Sequence, residues 1–220
     1  MKVEINNFYK RKVWEKLPRK MLNERKMLGS RWVFKKKSEQ DLSIHYKGRI
    51  VVKGYVQIPG VDFTESFAPV ATDTTTRTVF AITLYNHSKD VNERWICEIV
   101  DVEAAFLEGD MDEAIYIGWT EGIEELGYET KADTENYCIL LKKAMYGTVQ
   151  GALQFFKKLV ENLKLVGLTQ CQVDPCIFYL KRNGKLVLLI ASHVDDCAVA
   201  GKPSDVEWFK QEGDKEIFHN

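Results

Sequence analysis

Three aspartates carry the chemistry that this sequence offers most plainly. Asp195 and Asp196 are adjacent in "LIASHVDDCAVAG" (residues 189–201), between two apolar strand-forming runs where a hairpin turn usually holds Asn-Gly or Asp-Gly. Asp101 closes a third such run, "WICEIV" (95–100). Singly, each has an ordinary structural explanation: an Asp-Asp pair suits a solvated turn, and an Asp after a strand suits a helix N-cap. Together, a strand-end Asp and a hairpin-tip pair can converge at one edge of a sheet, where like charges repel unless cations join them. Magnesium prefers hard oxygen ligands and is usually held by one or two carboxylates plus substrate phosphates. Two such ions about 3.5–4 Å apart stabilise the attacking and leaving oxygens of a phosphoryl transfer. Asp101, Asp195 and Asp196 are therefore candidate ligands of a two-metal centre. His193 and Cys197 flank the pair and offer a transition-metal alternative, for which no further histidine has a reason to approach.

Elements that would position these residues are legible around them. "CIFYL", "RNG" and "KLVLLIASH" predict a hairpin turning at Asn183-Gly184, and a second hairpin is expected to turn at the aspartate pair itself. "TDTTTRTVFAITLYNHS" has an Asp/Thr start signal and predicts a helix ending near Asn86; "GALQFFKKLVENLKLVG" predicts another, with Leu153, Phe156, Val160 and Leu163 on one face and its end at Gly167. "YCILLKK" reads as a strand, "VEAAFLEG" as a short helix after Asp101, and "SDVEWFKQEGDKEIF" as a closing helix. Upstream, "RWVFKKK" and "IHYKGRIVVKGYVQI" predict a basic β-hairpin. Residues 108–136, with Glu121, Glu124 and Glu125, read as a solvated acidic loop. Strands and helices in this order predict an α+β domain with helices on one face of an antiparallel sheet.

Composition narrows the class. The 220 residues are 45% hydrophobic, enough for one sizeable core. No run approaches the ~18–20 apolar residues of a membrane span, and the start lacks a signal-peptide core, so no membrane contact and an intracellular setting are expected. Five cysteines without a C-x-x-C pair argue for reduced thiols packed in the core. The net charge of −1 conceals an asymmetry: residues 1–53 hold 16 Lys or Arg against 5 Asp or Glu, and residues 54–220 hold 15 against 27. A basic stretch interleaved with Trp14, Trp32, Phe34 and Tyr46 suits phosphates and bases, or equally a solvated basic face.

The segments "YKGRIVVKGYVQIPGVDFTESFAPVA", "DVEAAFLEGDMDEAIYI", "KKAMYGTVQ", "LTQCQVDPCIFY" and "HVDDCAVAG", in that order, closely resemble the reverse transcriptase region of copia-type LTR retrotransposons, from about Trp32 to Gly201. The resemblance implies a right-hand polymerase: a palm with an antiparallel sheet, basic β-rich fingers and no thumb. A basic lead-in (1–31) would precede fingers at about 32–93 and 120–150 and a palm at about 94–119 and 151–220. It further implies that Asp101, Asp195 and Asp196 hold two Mg²⁺ (or Mn²⁺) ions while a primer 3′-hydroxyl attacks the α-phosphate of a dNTP. Phe106 matches the aromatic that packs under the deoxyribose and rejects a 2′-hydroxyl. Arg49 matches the arginine that grips the triphosphate, with Lys47 beside it, and Gln150 matches a glutamine near the nucleotide. The implied partners are an RNA or DNA template with its primer, dNTPs and other parts of a Pol polyprotein, in a cytoplasmic virus-like particle or the nucleus.

Two departures stand out. His193 replaces the family's tyrosine before x-Asp-Asp; an imidazole lacks the phenol's reach and can place a positive charge beside the carboxylates. "GALQFF" stands where Ala-Pro-Arg-Ala-Trp is usual, so an arginine and a tryptophan of the template side are missing. With the chain stopping at Asn220, a fragment or decayed copy is expected. The alternative class is a non-catalytic nucleic-acid-binding remnant that needs only its Lys and Arg and loses affinity steeply with salt. A small metal-dependent phosphohydrolase would need a water-activating base that the sequence does not offer.

Overall fold

The computed structural model describes residues 1–22, 26–38, 44–87, 90–101 and 105–213, with backbone alone for Lys37, Ser38 and Ala105. In chain order it runs α1 (Lys2–Lys10), β1 (Trp14–Pro18), β2 (Ser30–Ser38), β3 (Ile44–Val52), α2 (Asp73–Tyr85), β4 (Ile96–Asp101) and β5 (Tyr116–Ile117). There follow α3 (Lys131–Asn136), β6 (Tyr137–Leu141), α4 (Gly151–Leu165), β7 (Thr169–Gln170), β8 (Ile177–Arg182), β9 (Lys185–His193), β10 (Asp196–Gly201) and α5 (Pro203–Gly213). Two compact units result: Met1–Phe67 with Phe106–Phe155, and Ala68–Ala105 with Phe156–Asn220. Among the described residues no helix is long and apolar enough to cross a membrane.

In the first unit, β1, β6 and β5 form a three-stranded sheet and β2 and β3 a separate two-stranded one. α1 buries Ile5 and Phe8, three residues apart on one helical face, and Phe8 meets Trp14 of β1 edge-on at 5.0 Å. Each such side chain contributes roughly 1.5–3 kcal/mol when fully buried. The β2–β3 hairpin runs from Ser30↔Val52 to Ser38↔Ile44, as its alternating sequence predicts; its turn, residues 39–43, lies outside the described residues. Directly opposed residues share a face. One face therefore carries Trp32, Phe34 and Tyr46, and the other Arg31, Lys35, Lys47 and Arg49.

The acidic segment 108–136 is not a solvated loop. Ile115, Ile117 and Ile123 are buried, β5 pairs with β6, and a reciprocal Thr130–Asp133 capping box starts α3. Mostly exposed acids around single buried isoleucines leave no periodic signal in the sequence, which is why composition alone misleads here.

In the second unit, five antiparallel strands lie in the order β4-β10-β9-β8-β7. Asn183 and Gly184, at φ 51° and 76°, make the two-residue turn between β8 and β9 that their identities predict. α2 starts at Thr72, whose hydroxyl and backbone N–H exchange hydrogen bonds with Thr75 (3.2 Å each). It buries Thr75, Val79 and Thr83 at four-residue spacing, and Val79 packs with Leu189, Ala191, Ala198 and Ala200. α5 meets the opposite face, where Lys210 pairs with Glu98. The sheet thus has a helix on each face rather than on one. α5 also begins at Pro203, one residue before the expected Ser/Asp cap; residues 214–220 lie outside the described residues.

The buried stripe of α4 is Leu153, Phe155, Leu159 and Leu163, with Gln154 and Asn162. Phe156 and Val160 are only half-buried, so the face is turned by about one residue from the expected one. Adjacent phenylalanines cannot be separated by periodicity, and tertiary contacts decide between them. All five cysteines are free thiols; Cys138, Cys176 and Cys197 are buried, and burial pushes each of these three thiols up.

Candidate active site

The second unit brings two of the three aspartates together. Asp101, the last residue of β4, is the register partner of Asp196, the first of β10, which in turn opposes His193, the last of β9. These three residues form one row across the end of the sheet, all on the face that α2 covers further along. The next row inward is Ile99, Ala198 and Ala191.

The turn between β9 and β10 is Val194-Asp195, not Asp195-Asp196 as the sequence suggested. This register matches the buried runs 188–192 and 197–201 against each other and leaves the four exposed residues 193–196 at the tip. A turn one residue later would set exposed His193 against Ala198, which is 8% exposed. The outcome places Val194 at φ 55°. A β-branched residue in this left-handed region costs roughly 1–2 kcal/mol. Asp195 is held at the second turn position, exposed, and Asp196 is fixed by strand pairing on both sides.

A cleft of about 340 Å³ opens beside the row, lined by Asp73 and Thr76 of α2, Ile99 of β4, and His193, Asp196 and Ala198. Asp73 is a further carboxylate that sequence reasoning missed, because an acid in the first turn of a helix needs no functional explanation. Beneath the row, the wholly buried Cys197 thiol is pushed up to about 12, first by burial and then by the charges of Asp196 and Asp101. Among the described residues no three His, Cys, Asp or Glu side chains stand together as a set that could hold a metal ion. What the row provides is two abutting carboxylates, the protein share that Mg²⁺ takes when substrate phosphates and water complete its shell.

The other candidates lie in the first unit. Arg49 and Lys47 share the basic face of the hairpin. The Arg49 guanidinium carbon sits 5.0 Å from the centre of the Tyr146 ring, and the Phe106 ring lies 5.3 Å from the same ring and 6.2 Å from Phe155. Residues 102–104 of the expected helix after Asp101 lie outside the described residues, and Ala105–Glu108 form a short 3-10 turn. Gln150 is wholly buried. Its carbonyl accepts from Gln57 Nε2 (2.9 Å), and its amide donates to the Asp62 carbonyl (3.0 Å) and Glu113 Oε2 (3.4 Å). Its side chain is thus committed to protein partners.

Tyr146 was not singled out from the sequence, and the backbone explains its placement. The Val52 N–H donates to the Tyr146 carbonyl at 2.8 Å. Gly147 follows at φ 89°, so close to β3 that a Cβ would stand 2.2 Å from the Val52 oxygen, and one on Gly54 would stand 2.0 Å from the Gly147 oxygen. Only glycines allow this crossing, which seats the tyrosine beside Arg49. Glu4 of α1 accepts from the Ile50 N–H on the same strand; burial pushes its carboxyl up, against that hydrogen bond and the charges of Arg49 and Lys47.

Comparison with known proteins places the sequence in a family. The sequence profile "Reverse transcriptase (RNA-dependent DNA polymerase)" matches residues 11–217. Over 176 residues, 80% of this chain, it is 33% identical to the retrovirus-related Pol polyprotein from transposon RE1 of Arabidopsis thaliana. It is likewise 33% identical over 176 residues to the Pol polyprotein from transposon TNT 1-94 of Nicotiana tabacum. An uncharacterized mitochondrial protein of Arabidopsis thaliana, AtMg00820, shares 32% identity over 83 residues. The chain belongs to the reverse transcriptase family, in its copia-type branch. Its matched part spans 11–12% of the length of the two Pol polyproteins.

Proposed function

We propose that this chain is the RNA-directed DNA polymerase portion of a copia-type retrotransposon, joining dNTPs to the 3′-hydroxyl of a primer annealed to an RNA or DNA template. The observation that carries the reading is the abutment of Asp101 and Asp196 at the end of β4 and β10. Asp101 and Asp196, with Asp195 at the turn, would hold Mg²⁺ or Mn²⁺, which supplies positive charge to the oxygens of the attacking hydroxyl and the departing pyrophosphate. Strand pairing on both sides keeps Asp196 in place without any movement at the moment of reaction. His193 faces the same cleft in the position of the family's tyrosine.

On this reading the five-stranded sheet belongs to the palm and the β2–β3 hairpin to the fingers. Arg49 and Lys47 neutralise triphosphate charge, and the Phe106 ring excludes a ribose 2′-hydroxyl. The remaining parts of a Pol polyprotein are the partners it implies.

A second reading, a non-catalytic nucleic-acid binder, is favoured by the hairpin. There Phe34 and Tyr46 are 59% and 75% exposed on the face that also carries Lys36, with Lys35 and Lys47 on the reverse face, so the strand pair offers rings on which bases can stack and cations for the backbone. Mg²⁺-dependent dNTP incorporation on a primed RNA template decides between them, with Asp195→Asn as the blank and His193→Tyr in parallel. Incorporation that vanishes in Asp195→Asn supports the polymerase. Silence from both the native chain and His193→Tyr, with salt-steep RNA binding retained, refutes it in favour of the binder.

A further inference from the structure

We infer that Tyr146 is the positioning residue of the nucleotide-binding surface in the first unit, its ring fixing Arg49 and Phe106 relative to one another. The inference rests on the reading above that these two side chains meet the incoming nucleotide. Tyr146 touches both: the Arg49 guanidinium lies over its ring at 5.0 Å and the Phe106 ring packs against it at 5.3 Å. The guanidinium carbon and the Phe106 ring centre are therefore no more than about 10 Å apart, the two legs laid end to end. One nucleoside triphosphate spans a comparable distance between its sugar and its terminal phosphate.

Two features make the ring an orienting element. The Arg49 Nε is buried and has no hydrogen-bond partner, so nothing at that nitrogen fixes the guanidinium plane. The tyrosine itself is anchored from behind through its carbonyl to Val52 and through the Gly147–Gly54 crossing. Phe106 is likewise held between Tyr146 and Phe155, the latter 3% exposed. Gln150, by contrast, is sealed inside with both ends of its amide engaged, and serves to lock the 57–63 loop. The half-exposed ring is the group that can tune a ligand's fit.

The test uses the full chain and reads the Arg49 Nε–H resonance by NMR. An aromatic face beneath the guanidinium shifts that resonance upfield in the free protein. Tyr146→Phe should retain the shift and Tyr146→Leu should abolish it, without nucleotide and without catalysis. Titration with dTTP and Mg²⁺ should move the same resonance, with binding about tenfold weaker in Tyr146→Leu and close to native in Tyr146→Phe. In primer extension, Tyr146→Leu should raise the KM for dTTP and lower the preference for dTTP over UTP. Tyr146→Trp is the second variant: a larger ring under Arg49 must change the shift again.

An Arg49 resonance indifferent to Leu and Trp at position 146 overturns the inference. A native chain in which the ring shift is present but dTTP moves nothing overturns the nucleotide reading instead and leaves the positioning of Arg49 supported.

Discussion

Neutralising one carboxylate of the Asp101–Asp196 pair should make the metal-free protein more stable while removing the proposed polymerase activity. The two residues oppose each other across adjacent strands on the same face, and both are exposed. Directly opposed Cα atoms stand about 4.5–5.5 Å apart. Two unit charges about 5 Å apart repel by about 0.8 kcal/mol in a water-like medium and by more in a less polar one. Exposure and salt place this pair at the low end, about 0.5–1 kcal/mol. For a chain of this size that corresponds to a rise in melting temperature of about 2 °C in Asp196→Asn. The assay is thermal unfolding followed by circular dichroism in EDTA, at low salt and at about 1 M salt, where the screening length falls to about 3 Å. The gain should shrink at high salt, and added Mg²⁺ should raise the native melting temperature but not that of the variant. An Asp196→Asn protein that melts at or below the native temperature in low-salt EDTA, or whose difference ignores salt, would falsify the claim that the two carboxylates face each other.

Three further outcomes are expected. Gly147→Ala adds a methyl at a left-handed φ against the Val52 carbonyl and should destabilise by about 3 kcal/mol, read from the midpoint of urea unfolding. Val194→Asn places a residue tolerant of left-handed backbone at φ 55° and should stabilise by about 1 kcal/mol in the same experiment, whatever it does to activity. The Asp133 carboxyl is held down to about 2, first by its hydrogen bond from Lys16 and then by those from Thr130. A folded-state value below the unfolded one means that the contact contributes above the ordinary carboxylate value of about 3.9 and is lost as pH falls towards 2. Carbon-detected NMR titration should therefore find the Asp133 midpoint near 2 in the native chain and substantially higher in Lys16→Gln.

What could be read in advance follows the range of the interactions. The β8–β9 hairpin announces itself through Asn183-Gly184, and α2 through Thr72 and Thr75, because turns and caps are encoded within a few residues. α1 and the β1–β6 pairing went unpredicted: Trp14 finds Leu141 across more than 120 residues, and neither strand carries a local mark of its partner. The same holds at the site. Asp101, Asp195 and Asp196 were visible as residue types, yet their arrangement depended on a register set by buried runs on β9 and β10, which moved the turn to Val194-Asp195. Tyr146 lay in a segment already recognised, but its importance comes from the glycine crossing that brings it to Arg49. Gln150 shows the converse, a residue type suited to a ligand whose neighbours consume its hydrogen bonds.

The two-stranded β2–β3 sheet has one more consequence. Among the described residues β2 has β3 as its sole sheet partner, so its other edge presents backbone groups of the kind that recruit further strands. Trp32, Val33 and Phe34 give that strand the apolar, β-prone character on which stacking of copies would feed. Lys35 and Lys36, next along the same strand, put like charges in register between any two copies that tried to join. Lysines that make this hairpin basic thus also oppose its stacking on further copies. Replacing Lys35 and Lys36 with threonine would leave a less charged edge strand more prone to self-assembly, and a polyanion that masks them without covering the edge would do the same.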